Sequence, residues 1–174
     1  QRYNAAGQAV GPEIVVNTLL TGSQGSPQLA ALSGGGFVAI WQDANARDGS
    51  SYSVWAQRFD DSGNKLGPEI AVNTTTTGAQ LRPDVAALAG GGFVAVWESA
   101  GARVMAQRFD ASGNKLGAEI QVNDVTDTPL YSNEQVRVVA LGNGGFAVGW
   151  ASSASTAAFP DGSSVDVFVQ AFSS

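Results

Sequence analysis

The sequence predicts an all-β fold built from three tandem copies of a four-stranded unit, and three observations lead there. A mark reading Gln1-Arg2-Tyr3-Asn4 returns as Gln57-Arg58-Phe59-Asp60, as Gln107-Arg108-Phe109-Asp110 and, degraded, as Gln170-Ala171-Phe172-Ser173. Spacing inside each copy is constant. Gln1 to Asn17, Gln57 to Asn73 and Gln107 to Asn123 all span 16 residues, while Pro27 to Phe37, Pro83 to Phe93 and Val136 to Phe146 all span 10. From those Phe to Trp41, Trp97 and Trp150 is 4 in every copy. The repeat lengths of 56, 50 and 63 residues differ only in the stretches after the Trp and after the Asn. Strand lengths must match across a shared core whereas surface connections tolerate insertion, so this is the signature of a repeat fold. Lastly, no window sustains a 3.6-residue period, and β-branched and aromatic residues fill short runs punctuated by many of the 22 glycines.

The elements follow in order. Residues 1–17 hold an amino-terminal strand, Gly11-Pro12-Glu13-Ile14-Val15-Val16-Asn17, equivalent to Gly67 to Asn73 and Gly117 to Asn123. Unit 1 covers about 26–73, unit 2 about 82–123 and unit 3 about 134–174, all within one repeat domain. Within unit 2, Pro83 to Leu88 leads through Gly90, Gly91 and Gly92 into Phe93 to Trp97, a hairpin whose glycines accept the positive φ of tight turns. A second hairpin runs from Val104 to Phe109, turns at Asp110-Ala111-Ser112-Gly113-Asn114 and returns through Glu119 to Asn123. The first hairpin is apolar on both faces and the second carries Gln, Arg and Glu, so the first pair is expected inside and the second outside. That is the layout of a β-propeller blade. Unit 3 stops at its third strand, and the spare amino-terminal strand is expected to complete it, covering an edge of unpaired N–H and C=O groups. Three blades lie below the usual four to eight. A compact ring, two chains joined as six blades and an arc of a longer array all stay open, with a β-trefoil as the competing fold.

Composition limits the function classes. With 44% hydrophobic and 14% charged residues the 174-residue chain is expected to fold. Its 15 acidic and 9 scattered basic residues disfavour nucleic acid. Apolar runs such as Phe37 to Trp41 fall far short of the roughly 20 residues of a spanning helix, so membrane insertion is not expected. Without His or Cys there is no Ser-His or Cys-His nucleophile and no imidazole or thiolate metal site. The start at Gln1, without an apolar leader, fits either a removed signal or an excerpt.

The run Gln57 to Gly67, followed by Glu69-Ile70-Ala71-Val72-Asn73 and Gly91-Gly92-Phe93-Val94-Ala95-Val96-Trp97, resembles repeats of very large secreted bacterial proteins of the RTX and adhesin kind. The loops Asp48-Gly49-Ser50-Ser51-Tyr52 and Asp161-Gly162-Ser163-Ser164-Val165 look similar to that family too. The resemblance implies an extracellular location, propeller-like blades and a role in adhesion or as a structural module, with no assigned chemistry.

Candidate site residues are few. Trp41, Trp97 and Trp150 recur and are expected in the core; the functional alternative has each flanking a groove between units and stacking on a sugar. Glu98, whose equivalents are Gln42 and Ala151, is the one suggestive carboxylate, but a glycosidase needs two across a cleft. Trp55, replaced by Met105 and Phe168 in the other units, is expected to pack outside. Calcium wants six to eight oxygens, more than the Asp60 to Asn64 and Asp110 to Asn114 turns supply, which favours turn chemistry. Asp48 and Asp161, each before Gly, are the loop residues on which calcium would depend. No other cofactor is expected. The variable loops Gln42 to Ser53 and Ala151 to Ser164 are the better binding candidates. A non-catalytic structural or adhesive module able to self-associate is therefore expected, with a lectin-like glycan binder as the alternative and a carboxylate glycosidase behind it.

Overall fold

A computed structural model describes residues 1–123, 136–152 and 166–173. Among them the chain is all-β, without a helix. The strands are β1 (Arg2–Tyr3), β2 (Ala9–Val10), β3 (Gln24–Ala31), β4 (Phe37–Asp43), β5 (Ser53–Phe59), β6 (Lys65–Ala71), β7 (Gln80–Ala87), β8 (Phe93–Ser99), β9 (Arg103–Phe109), β10 (Lys115–Gln121), β11 (Arg137–Ala140), β12 (Phe146–Ser152) and β13 (Asp166–Phe172). They form four antiparallel sheets: β1-β2, β3-β4-β5-β6, β7-β8-β9-β10 and β11-β12-β13.

The recurring residues show why each sheet forms. In the cross-strand register Phe37 faces Phe59, Phe93 faces Phe109 and Phe146 faces Phe172, and the three pairs stack at centroid distances of 4.7, 4.5 and 4.8 Å. Phe59, Phe93 and Phe109 are buried and each such pair removes a large apolar area from water. The turn before each second strand passes so close to its neighbour that only glycine fits. A Cβ on Gly92 would lie 2.0 Å from the Phe109 carbonyl oxygen, and one on Gly145 2.1 Å from that of Phe172. In both complete sheets the register slips at a bulge before a proline, where Ser26 and Arg82 adopt positive φ of 51° and 49°.

Two recurring polar residues join the third strand to the fourth. The Gln57 amide donates to the carbonyls of Arg58, Leu66 and Gly67, and the Gln107 amide to those of Arg108, Leu116 and Gly117. The Oδ1 of Asn73 accepts the Val54 N–H at 2.8 Å and that of Asn123 accepts the Val104 N–H at 2.7 Å. These bonds explain the constant spacing of 16 between Gln and Asn. Both residues are buried, where an unpaired amide would cost about 1–3 kcal/mol.

The sheets pack face to face. Val38, Ile40, Val54, Ala56 and Val72 of the first meet Val85, Phe93, Ala95 and Trp97 of the second. Val94, Val96, Val104, Ala106 and Val122 of the second meet Val136, Phe146 and Val148 of the third. At the outer margin the Arg58 guanidinium donates to the Ser112 carbonyl at 2.6 Å, and Glu119 accepts the backbone N–H groups of Thr74 and Thr75 and the Thr75 hydroxyl.

The amino-terminal segment departs from expectation. Residues 11–17 form no strand, β1 and β2 pair with each other, and β13 has β12 as its one ladder neighbour among the described residues. The pairing of residues 11–17 with the last sheet is not made within this chain. The segment lies instead on the first sheet, where it repeats the outer margin of a unit. Arg2 donates to the Asp61 carbonyl, Glu69 accepts the Thr18 N–H at 2.5 Å, and Ile14 and Arg2 border Gly63 as Ile70 and Arg58 border Gly113. The Gln1 amide reaches the carbonyls of Arg2, Val10 and Gly11, as Gln57 does in its own sheet. A fourth strand touches both its own sheet and the next one. Here the contacts with the next sheet are made.

Candidate functional site

Two of the candidate residues, Gln42 and Glu98, meet where β4 and β8 end and β7 begins. Gln42 on β4 accepts the Arg82 backbone N–H at 3.0 Å, and the Arg82 guanidinium lies 2.5 Å from Glu98 on β8. The bulge at Arg82 creates this link, because positive φ turns its N–H toward the preceding sheet. Glu98 is 8% exposed, and burial pushes its carboxyl above the ordinary value while Arg82 pulls it back. Its observed partner is a guanidinium, whereas hydrolysis by carboxylates needs a second acid across a cleft.

The tryptophans separate by environment. Trp97 is wholly buried and its indole N–H donates to Gln80 Oε1 at 3.0 Å. Trp41 is 4% exposed, and its indole nitrogen is buried without a hydrogen-bond partner among the described residues. Beside it a cavity of about 210 Å³ is lined by Val16, Asn17, Gln24, Leu29 and Trp41, among others. Trp150 is half-buried and stacks on Phe168 at 5.7 Å. Trp41 and Trp97 are buried, Trp150 is partly buried against the core, and Trp41 alone of the three borders this cavity.

Trp55 anchors the described variable loop. Its indole donates to the Ser53 hydroxyl at 2.9 Å, and the Arg47 guanidinium lies 3.5 Å above its ring. Arg47 also pairs with Glu69 at 2.7 Å and approaches Asp43 at 3.4 Å. Burial alone would push Glu69 up, but the Thr18 N–H and Arg47 outweigh it and hold its carboxyl below the ordinary value. Asp48 accepts Asn73 Nδ2 at 2.9 Å and the Ser50 N–H at 3.1 Å, so its oxygens fasten the loop to the sheet. Asp161 and the loop following Ser152 lie outside the described residues. Among the described residues no cluster of three or more His, Cys, Asp or Glu is placed to hold a metal.

The Asp turns behave as turn chemistry predicts. Asp110 Oδ1 accepts the Ser112 and Asn114 N–H groups at 2.8 Å, and Oδ2 accepts Asn114 Nδ2 at 2.9 Å. Asp60 holds Asn64 in the same way, and in both turns the Asn side chain is the chief cause of a carboxyl held below its usual value.

Sequence reasoning missed Arg82, Arg47 and Asp43. The signal for Arg82 was its position before Pro83, where a bulge re-aims the backbone. Arg47 lies in the longer loop of the first unit and Asp43 is replaced by Ser99 in the second, so comparison of the copies passed over them. Neither protein-family models nor curated protein sequences match the chain.

Proposed function

We propose that this chain is a non-catalytic structural module whose sheets are propeller-like blades, serving adhesion outside the cell. One observation supports this most. Polar residues that recur between units are used up in holding the protein to itself: Gln57 and Gln107 within sheets, Asn73 and Asn123 at strand ends, Glu69 and Glu119 between neighbouring layers. The face-to-face packing of separate open sheets favours blades over a trefoil, whose core is a closed barrel. Location and adhesion rest on the likeness to secreted RTX and adhesin repeats.

The test is a panel of chromogenic glycosides and esters with the wild type and Glu98→Gln, together with a melting curve taken with and without calcium. No turnover by either protein and an unchanged melting temperature are expected. Turnover abolished by Glu98→Gln would establish an enzyme instead.

A lectin-like reading has one observation in its favour, the cavity beside the unpartnered Trp41 indole N–H. Quenching of tryptophan fluorescence by monosaccharides, lost in Trp41→Phe, would establish it, and silence on a glycan array would remove it.

A further inference from the structure

Equivalent residues in the three units meet opposite fates. Val54 and Val104 are fully buried, yet Val167, which takes the same place on β13, is 80% exposed. Ala56 and Ala106 are fully buried while Val169 is 70% exposed. Val139, in the place of Ala30 and Ala86, is 58% exposed. With Ala147 and Gly149 these valines make a largely apolar face bordered by Arg137, since the register sets Val139 beside Ala147 and Gly149 between Arg137 and Val169. In the first two sheets that face is covered by the next sheet.

The composition of the face argues that it too is a packing surface. A terminal repeat facing water carries a polar outer face, whereas here the exchanges conserve apolar volume. Ala147 and Gly149 replace Val94 and Val96, and Val139 and Val169 replace Ala86 and Ala106. The edge of β13 points the same way. Among the described residues Gln170 donates to the Ala171 carbonyl alone, whereas Gln57 and Gln107 each also grip two carbonyls of a fourth strand.

The complementary surface lies at the other end of the same chain. Leu29, equivalent to the buried Val85, is 63% exposed on the outer face of the first sheet, beside the cavity bordered by Trp41 and Asn17. Residues 11–17 already lie on that sheet as a fourth strand lies on the sheet that follows it.

We infer that this face binds a second copy of the chain head to tail, with residues 11–17 of that copy completing the sheet beside β13 and its Leu29 face covering Val139, Val167 and Val169. This deepens the structural-module reading and rests on it. Asn17 of the incoming copy accepts the Val167 N–H, as Asn73 accepts that of Val54. Gln170 takes the Val10 and Gly11 carbonyls from Gln1, so β1 gives way. The interface repeats the one between the first and second sheets, and two copies bring six units together, inside the four to eight of closed propellers. Such a contact uses different surfaces on the two partners.

Sedimentation or light scattering of the full chain and two variants tests this. Wild type is expected to associate with rising concentration. Val169→Asp and Leu29→Asp, each at a site more than half exposed in the single chain, are expected to keep its melting temperature and lose association on the order of a hundredfold, because each buries an unpaired carboxylate. An equimolar mixture of the two variants should form a dimer and nothing larger, since one good surface of each kind remains. Asn17→Ala should weaken assembly by about tenfold. A wild type that stays monomeric at every concentration overturns the proposal, as does association lost in Val169→Asp but retained in Leu29→Asp, which would mean that like faces meet. Neither failure touches the non-catalytic reading, which the glycoside and ester panel decides separately.

Discussion

The first and second sheets carry nearly the same strands and are not equally finished. Trp97 lies between two neighbours, fully buried, with its N–H held by Gln80. Trp41 has the same strand position but borders a cavity, and its counterpart glutamine, Gln24, donates to the Thr21 carbonyl at 2.8 Å as Gln80 does to that of Thr77 at 3.3 Å but accepts no indole N–H among the described residues. The difference shows that the apolar positions of a unit are buried by its neighbours as well as by its own strands. The apolar positions of one sheet become core only when the next sheet arrives, as in other stacked repeats.

The largest expected effect breaks the comparison at the tryptophans. Trp97→Ala should destabilise by about 3–5 kcal/mol, while Trp41→Ala should cost about 2 kcal/mol, since part of its surroundings is already void. Urea unfolding monitored by circular dichroism measures both, and equal losses would remove the distinction between the sheets.

A smaller effect is expected at the glutamines. Gln80→Leu leaves the Trp97 N–H buried and unpaired, at a cost of about 1–3 kcal/mol. Gln24→Leu strands no indole N–H and breaks only the bonds to Thr21 and Asn17, so it should cost less, about 0.5–1 kcal/mol.

The smallest effect sharpens the comparison through pH, because Glu98 in the second sheet stands where the first has Gln42. The folded protein raises the Glu98 carboxyl above its reference of 4.5, so the neutral acid is the form that the fold prefers. Its contribution is fully present below that reference and lost as pH rises through the folded value. Glu98→Gln should therefore melt like wild type near pH 4 and above it near pH 7. A pH series of melting temperatures checks the sign, and a gain confined to acid would reverse it.

Much of this was legible in the sequence. Strand positions, the recurrence of Phe37, Phe93 and Phe146 and the turn role of Asp60 and Asp110 all follow from constant spacing and residue chemistry, because local hydrogen bonding and strand pairing act over short stretches. What was not legible was which neighbour a fourth strand serves. Gly11 to Asn17 reads as a fourth strand, but such a strand bonds to its own sheet through Asn73-like contacts and to the next through Glu119-like ones. Sequence position does not choose between the two. The polar bridge at Gln42, Arg82 and Glu98 was hidden for a related reason: it joins two sheets through a backbone N–H, and that group leaves no mark on residue type. Trp55 gave no warning of Arg47, since a cation over a ring depends on how the loop folds back.

The connection between the second and third strands has a practical consequence. The ladder closes at Asp43 opposite Ser53 in the first sheet and at Ser99 opposite Arg103 in the second, so residues 44–52 and 100–102 do the same job at different lengths. Lengthening a surface loop costs only about 0.6 kcal/mol per doubling. This rim is accordingly the place where foreign peptides can be grafted for display, and where evolution can trial new specificities while the supporting scaffold stays as it is.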